Sequence, residues 1–260
     1  MENRLNQALE FCLRAGEVML INGAETSRIE ETVSRFGRAF GLEDIHSFVI
    51  PTGIFISLYH GEYEKTGMVR VKKAPSINLN IVHRVNDLSR RFERGVISME
   101  DVEAELHHIE TSRHEYRLRY QHIASAVAAG AFTVLFGGGL DEFLLGAVCG
   151  LLSNAVTEWI GESMPRFLRT FFAALIGVLV AVVGVNFGWA SQLEAAIIGA
   201  VIPLVPGVAI TNSVRDLMAG ELLSGISRGS EALLTAFAIA VAVALVLSFG
   251  LQGFMGGGVV

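Results

Sequence analysis

Basic residues all but disappear from the second half of this 260-residue chain. Of its 20 lysines and arginines, only Arg166, Arg169, Arg215 and Arg228 follow residue 120, and no histidine follows His122. The net charge of −6 gives no basis for nucleic-acid binding. The two cysteines, Cys12 and Cys149, fall in different halves, which argues against a disulfide framework. There is no Gly-x4-Gly-Lys-Ser/Thr loop and no Gly-x-Ser-x-Gly elbow, so neither a nucleotide motor nor a serine hydrolase is expected. No cofactor and no metal are expected. His107, Glu110 and His114 share helical spacing that a metal could use, but a solvated polar face explains them more simply. The N-terminus spreads Glu2, Arg4, Glu10, Arg14 and Glu17 through an amphipathic stretch, unlike a signal peptide.

What the second half has instead is apolar length. The whole chain is 52% hydrophobic with mean hydropathy +0.49. From Tyr120 onward, apolar runs near the roughly 20 residues needed to cross a bilayer recur at 120–138, 142–160, 168–189, 193–213 and 231–251. Residues 170–193 and 232–260 carry no charge; the second run is weaker, charge-free only over 143–157. The loops test five spans independently. Arg166 and Arg169 follow the second, and Arg215 and Arg228 the fourth, while the loops after the first and third have no basic residue. Basic loops face the cytoplasm. The expectation is a multi-pass protein of a bacterial-type inner (plasma) membrane, N-terminus cytoplasmic and C-terminus outside.

The first 119 residues read as a cytosolic α/β domain. Leu5, Leu9, Leu13, Val18 and Ile21 mark one helix, stopped at Asn22-Gly23. A second runs from about Glu25 to Phe40 and ends at Gly41. "SFVIPTGIFISLYH" and "TGMVRVKKA" read as two strands joined through "HGEYEKTG". Helix returns over 77–94, and "SMED" opens another with a capping box, Ser98 to Asp101. The fold class expected is therefore an α-helical polytopic membrane protein of five spans (120–260) behind an N-terminal cytosolic α/β domain (1–119).

Polar groups inside membrane segments are costly and point to function. Asn154 and Glu158 share a face near the end of the second span. The fourth holds "IPLVPGVAITNSVRD", in which Pro203 and Pro206 each lack an N–H and leave carbonyls that lipid cannot satisfy. A helix broken there, with Gly207 after it, offers carbonyl ends and a new N-terminus at mid-bilayer, the plan of many transporter sites. Asn212 and Ser213 follow closely as hydrogen-bonding groups. The competing reading is a proline kink used for packing. Glu158 and Asp216 are candidate proton carriers; the competing reading of Asp216 is a pair with Arg215 or Arg228. In "GAETSRIEE", Glu25 and Arg28 read either as ordinary surface pairing or as a contact with the membrane part or a partner.

Two of these stretches, "INGAETSRIEETVSRFGRAFGL" and "PLVPGVAITNSVRDLMAGELLSGISRG", resemble the threonine/serine exporter (ThrE) family, and within it the short YjjP-like subunits. The matched positions are Gly23, Ala24 and Glu25, then Pro203, Pro206, Gly207, Asn212, Ser213, Asp216, Gly220, Gly225 and Arg228. The resemblance implies an exporter of threonine and serine, or of a dicarboxylate such as succinate. It also implies a separate YjjB-like membrane partner. An odd span count fits an inverted second half supplied from elsewhere. The expected reading is a proton-coupled secondary exporter subunit, held in the lipid bilayer, with further copies of itself as a further partner. A membrane-anchored sensor or enzyme using the N-terminal residues is the alternative.

Overall fold

A computed structural model describes residues 2–42, 44–72, 77–111 and 118–255. The chain is mostly helical, with one three-stranded sheet. It divides into two compact units. One joins residues 1–113 to 210–229; the other joins 114–209 to 230–260. Residues 210–229, placed by the sequence at the end of the fourth span and in the loop beyond it, thus pack with the N-terminal part.

In the first unit α1 (Glu2–Ile21) and α2 (Thr26–Ala39) cover one face of the antiparallel sheet β1 (Asp44–Ile50), β2 (Gly53–His60) and β3 (Tyr63–Arg70). The stop after α1 is a left-handed glycine: Gly23 has φ 83°, and its N–H and that of Ala24 return to Leu20 and Met19. Gly41, φ 78°, closes α2 in the same way. Three strands replace the two expected. Pro51-Thr52 makes a tight turn inside what reads as one apolar run, and the next turn is only Gly61-Glu62. Leu5, Phe11, Met19, Ile29, Phe36, Ile54, Ile56 and Leu58 fill the core between helices and sheet. Helices α3 (Leu79–Glu93) and α4 (Met99–Thr111) complete this layer. Ser98 accepts from the Asp101 N–H at 3.2 Å, as the capping spacing predicts. Arg14 on α1 bridges to Glu110 at 2.8 Å and to Glu103 on α4, so Glu110 is occupied by a guanidinium. His114 lies outside the described residues.

The second unit is a bundle of α5 (Leu118–Leu135), α6 (Leu140–Ile160), α7 (Arg166–Asn186), α8 (Leu193–Val201) and the body of α10 (Leu222–Met255). Among the described residues α6, α7 and the stretch Leu222–Phe249 are long and apolar enough to cross a membrane. A fourth candidate is a bent pair, Leu193–Leu204 with α9 (Gly207–Met218). The first expected span is α5, which carries Arg119, Tyr120, Gln121 and His122 directly after its first residue and is not among these candidates. The bundle packs through small residues. A Cβ on Gly146 of α6 or on Gly199 of α8 would overlap the hydroxyl of Thr133 on α5, so the three backbones approach closely there. Outside the bundle core, Leu144, Leu151, Leu179, Leu233 and Phe237 point outward, as lipid-facing positions should.

Candidate functional site

The two stretches that carry the family resemblance meet in the first unit. Helix α2 starts at Thr26 after Glu25, whose side chain caps nothing. The cap comes instead from α9: Asp216 Oδ1 accepts from the Thr26 N–H at 3.2 Å. A carboxylate there satisfies an open donor and suits the positive end of the helix. Asn212 Nδ2 donates to the Gly23 carbonyl at 3.0 Å, and Arg228 Nη2 to that of Ala24 at 2.8 Å. Arg228 Nε also lies 3.2 Å from Asp216 Oδ2. Arg215 pairs with Glu25, which Arg28 approaches to 3.8 Å. Ser213 Oγ donates to the Gly225 carbonyl at 2.7 Å, closing α9 on the start of α10, and Ser224 Oγ reaches Val49 of β1 at 3.1 Å. The structure thus brings together Gly23, Glu25, Arg28, Asn212, Ser213, Arg215, Asp216 and Arg228. Asn212 and Ser213 spend their hydrogen bonds on the protein.

Helix α9 is inside out for a surface helix. Its Asn212, Ser213 and Asp216 are buried against the protein, while Ile210, Val214, Leu217 and Met218 face outward beside Thr211 and Arg215. That surface suits lipid or another apolar partner and not water.

In the second unit the expected break is present. Helix α8 ends at Val201 and a 3-10 turn, Ile202–Leu204, carries Pro203. Pro206 then ends the turn, Gly207 opens α9, and the two halves are bent by 55°. Each half has 12 residues, about 18 Å of helix, too short to cross a core of about 30 Å alone. Having no N–H, Pro203 cannot serve the Gly199 carbonyl one turn back. Asn154 is half-buried and its Nδ2 donates to His122 Nδ1 of α5 at 2.7 Å. Glu158, one turn further along α6, is exposed.

Two residues of this unit lie outside the sequence's candidate set. His122 is one: a lone histidine at the charged start of an apolar helix gives little signal. Glu142 is the other. It is 4% exposed, and its carboxylate accepts from the N–H groups of Gly139, Ser191 and Gln192 at 2.7, 2.8 and 3.1 Å and from Ser191 Oγ at 2.9 Å. It closes the first turn of α6 and the approach to α8 together. The Gly-Leu-Asp-Glu spacing hints at the first role only.

Comparison with known proteins agrees with these motifs. A family model described as "Putative threonine/serine exporter" matches residues 10–250. A protein of Escherichia coli (strain K12) named "Probable succinate transporter subunit YjjP" is 26% identical over 260 residues, covering 94% of this chain and 96% of that one. The "Threonine/serine exporter" of Corynebacterium glutamicum is 24% identical over 244 residues, 91% of this chain but 50% of its own length. An uncharacterized Schizosaccharomyces pombe protein is 26% identical over 255 residues, and there the chain spans only 29% of its relative. No solved structure matches. The chain belongs to the threonine/serine exporter family, a family of membrane transporters and not of enzymes.

Proposed function

We propose that this chain is one subunit of a secondary exporter of small carboxylate-bearing solutes, either threonine and serine or a dicarboxylate such as succinate. The observation that carries this reading is the helix broken at Pro203 and Pro206 within an exporter-family chain. Such a break leaves backbone groups for a solute to use where lipid offers none. The pathway includes Pro203, Pro206, Gly207 and Asn154. Asn212 and Ser213 act one step away, fixing α9 to the turn at Gly23.

The charged cluster is the gate. Asp216 holds the start of α2 and Arg228 at once, so a proton on Asp216 would release both. Buried Asp216 suits proton coupling better than exposed Glu158. The basic first half supports a cytoplasmic side for residues 1–119. A separate YjjB-like membrane protein completes the pathway. The relatives named as subunits support this, as does the half of the Corynebacterium glutamicum exporter that this chain does not span.

The test is efflux of preloaded, labelled threonine, serine and succinate from cells lacking their own exporters, with the chain expressed alone and with a YjjB-like protein. Efflux of one of these solutes only when both are present is expected. Efflux of none, with both proteins in the membrane, would overturn the reading.

A further inference from the structure

A cavity in the first unit takes no part in the charged cluster or the proline break. It lies where the helical layer and the sheet end together. The start of α1 gives it Arg4 and Leu5, and the turn after α2 gives Phe40. His60, the last residue of β2, Phe92 of α3 and Met99 of α4 complete the wall. Gly41, at φ 78°, turns the chain away from α2, and Gly61, at φ 59°, turns it back from β2, so neither element continues over the gap. The volume is about 390 Å³, inside the roughly 300–1,000 Å³ of small-molecule sites.

The wall is divided by chemistry. Phe40 and Phe92 meet edge to face with ring centroids 5.2 Å apart, and both are only half-buried. Leu5 and Met99 extend that apolar side. Such a wall favours a ligand with an apolar, aromatic body. His60 is the polar exception. It follows Ile54, Ile56 and Leu58, all fully buried, on the inward register of β2, where a fourth apolar side chain would be expected. Its Nδ1 is buried without a hydrogen-bond partner among the described residues. A buried ring nitrogen left idle is uncommon in a folded protein.

Arg4 lines the same cavity and has no ion pair among the described residues. Carboxylates on the neighbouring segments are engaged elsewhere: Glu2 with Lys65 at 3.3 Å, Glu93 with Arg38 at 2.9 Å and Asp44 with His46 at 3.1 Å. A free guanidinium on a long stem and an imidazole at one apolar hollow suit a carboxylate. Beyond Gln7 and Met99 the charge changes sign. A second hollow of about 330 Å³ is lined there by Glu10, Glu100 and Glu103, with Arg14 already held by Glu103 and Glu110. That acidic boundary disfavours a phosphate ester or a dicarboxylate and accommodates a single negative charge.

We propose that this cavity binds a monocarboxylate with an aromatic body, its carboxylate on Arg4 and His60 and its ring against Phe40 and Phe92. Such a ligand differs from the small polar solutes proposed for export, so this is a second site, and it does not depend on the exporter reading.

The experiment uses the full chain in lipid nanodiscs, with para-trifluoromethyl-phenylacetate as the probe and its fluorine line width as the readout. Empty nanodiscs give the lipid background. Saturable broadening above that background is expected, and the uncharged amide of the probe should bind about tenfold more weakly or less. Arg4→Gln removes a charged partner and should weaken the probe roughly tenfold. His60→Leu should weaken it similarly, and His60→Gln, which keeps an N–H, should recover part of the loss. Ala39→Trp, at the end of α2, puts an indole into the cavity and should abolish binding. Arg4 is exposed and gives up no ion pair among the described residues, so Arg4→Gln keeps the fold and decides the matter even where Ala39→Trp unfolds. Unlabelled phenylacetate should displace the probe, and succinate should not. No saturable binding, equal binding of probe and amide, displacement by succinate as readily as by phenylacetate, or an affinity unchanged in Arg4→Gln would each overturn the proposal.

Discussion

Asp216 is 1% exposed and carries two partners, the Thr26 N–H and Arg228. Removing its charge leaves Arg228, itself largely buried, without a counter-ion. Breaking a buried pair in this way costs about 3–5 kcal/mol. Asp216→Asn should therefore lower the unfolding midpoint of detergent-solubilised protein by many degrees. Arg215→Ala is the contrast. Arg215 is 57% exposed in its pair with Glu25, and such pairs are worth about 0–1 kcal/mol. Equal effects from the two substitutions would refute the assignment of Asp216 as the buried anchor. Glu30 makes a further prediction. Burial, with the Glu221 and Asp216 carboxylates nearby, holds it above the usual carboxylate range. Folding thus favours its protonated form. That contribution is complete below the unfolded value of about 4.3 and is lost as pH rises through the higher folded one. Glu30→Gln, neutral at every pH, should raise the unfolding midpoint at pH 7 and leave it unchanged at pH 4. A midpoint equal to wild type at both pH values would contradict this.

Elements in the second unit are held by close approach more than by large side chains. At Gly199 a Cβ would meet the Thr133 hydroxyl and the Ala129 carbonyl, and both belong to the backbone or a buried side chain. Gly199→Ala should destabilise the bundle by about 1–3 kcal/mol through overpacking. Gly188→Ala, at a left-handed turn where a Cβ meets nothing, costs only backbone strain of about 1 kcal/mol. Thermal unfolding of the two in one detergent decides the order. Elements of this kind were partly readable from residues. The stops at Gly23 and Gly41 and the Ser98 cap follow from local chemistry and stand where that chemistry puts them. The strands did not. Apolar residues on both sides of Pro51-Thr52 conceal a two-residue turn, because a turn leaves no trace in hydrophobicity when both flanks are strand. The start of α10 at Leu222 was hidden too, since Arg228 and Glu231 read as loop. They are tolerated there because Arg228 reaches Asp216 and Glu231 lies 3.8 Å from Arg166.

At the scale of the whole molecule, charge alone separates a charged first half from an apolar second half but does not show that residues 210–229 pack with the first unit. The break in the fourth run was legible, because proline acts through its own missing N–H. What composition could not show is where a polar side chain spends its hydrogen bonds. Asn212 and Ser213 look like solute ligands in a list of residues, but folded they tie α9 to Gly23 and Gly225. His122 and Asn154, 32 residues apart, become a pair only when α5 and α6 pack. The central claim is that the broken helix forms the solute path. It is tested most directly by replacing Pro203 and Pro206 with alanine together. This restores both N–H groups and allows the two halves to join, and efflux is then measured with the partner present. The account predicts efflux at background with the protein still in the membrane at its normal amount. Efflux at the wild-type rate from the joined helix would contradict it.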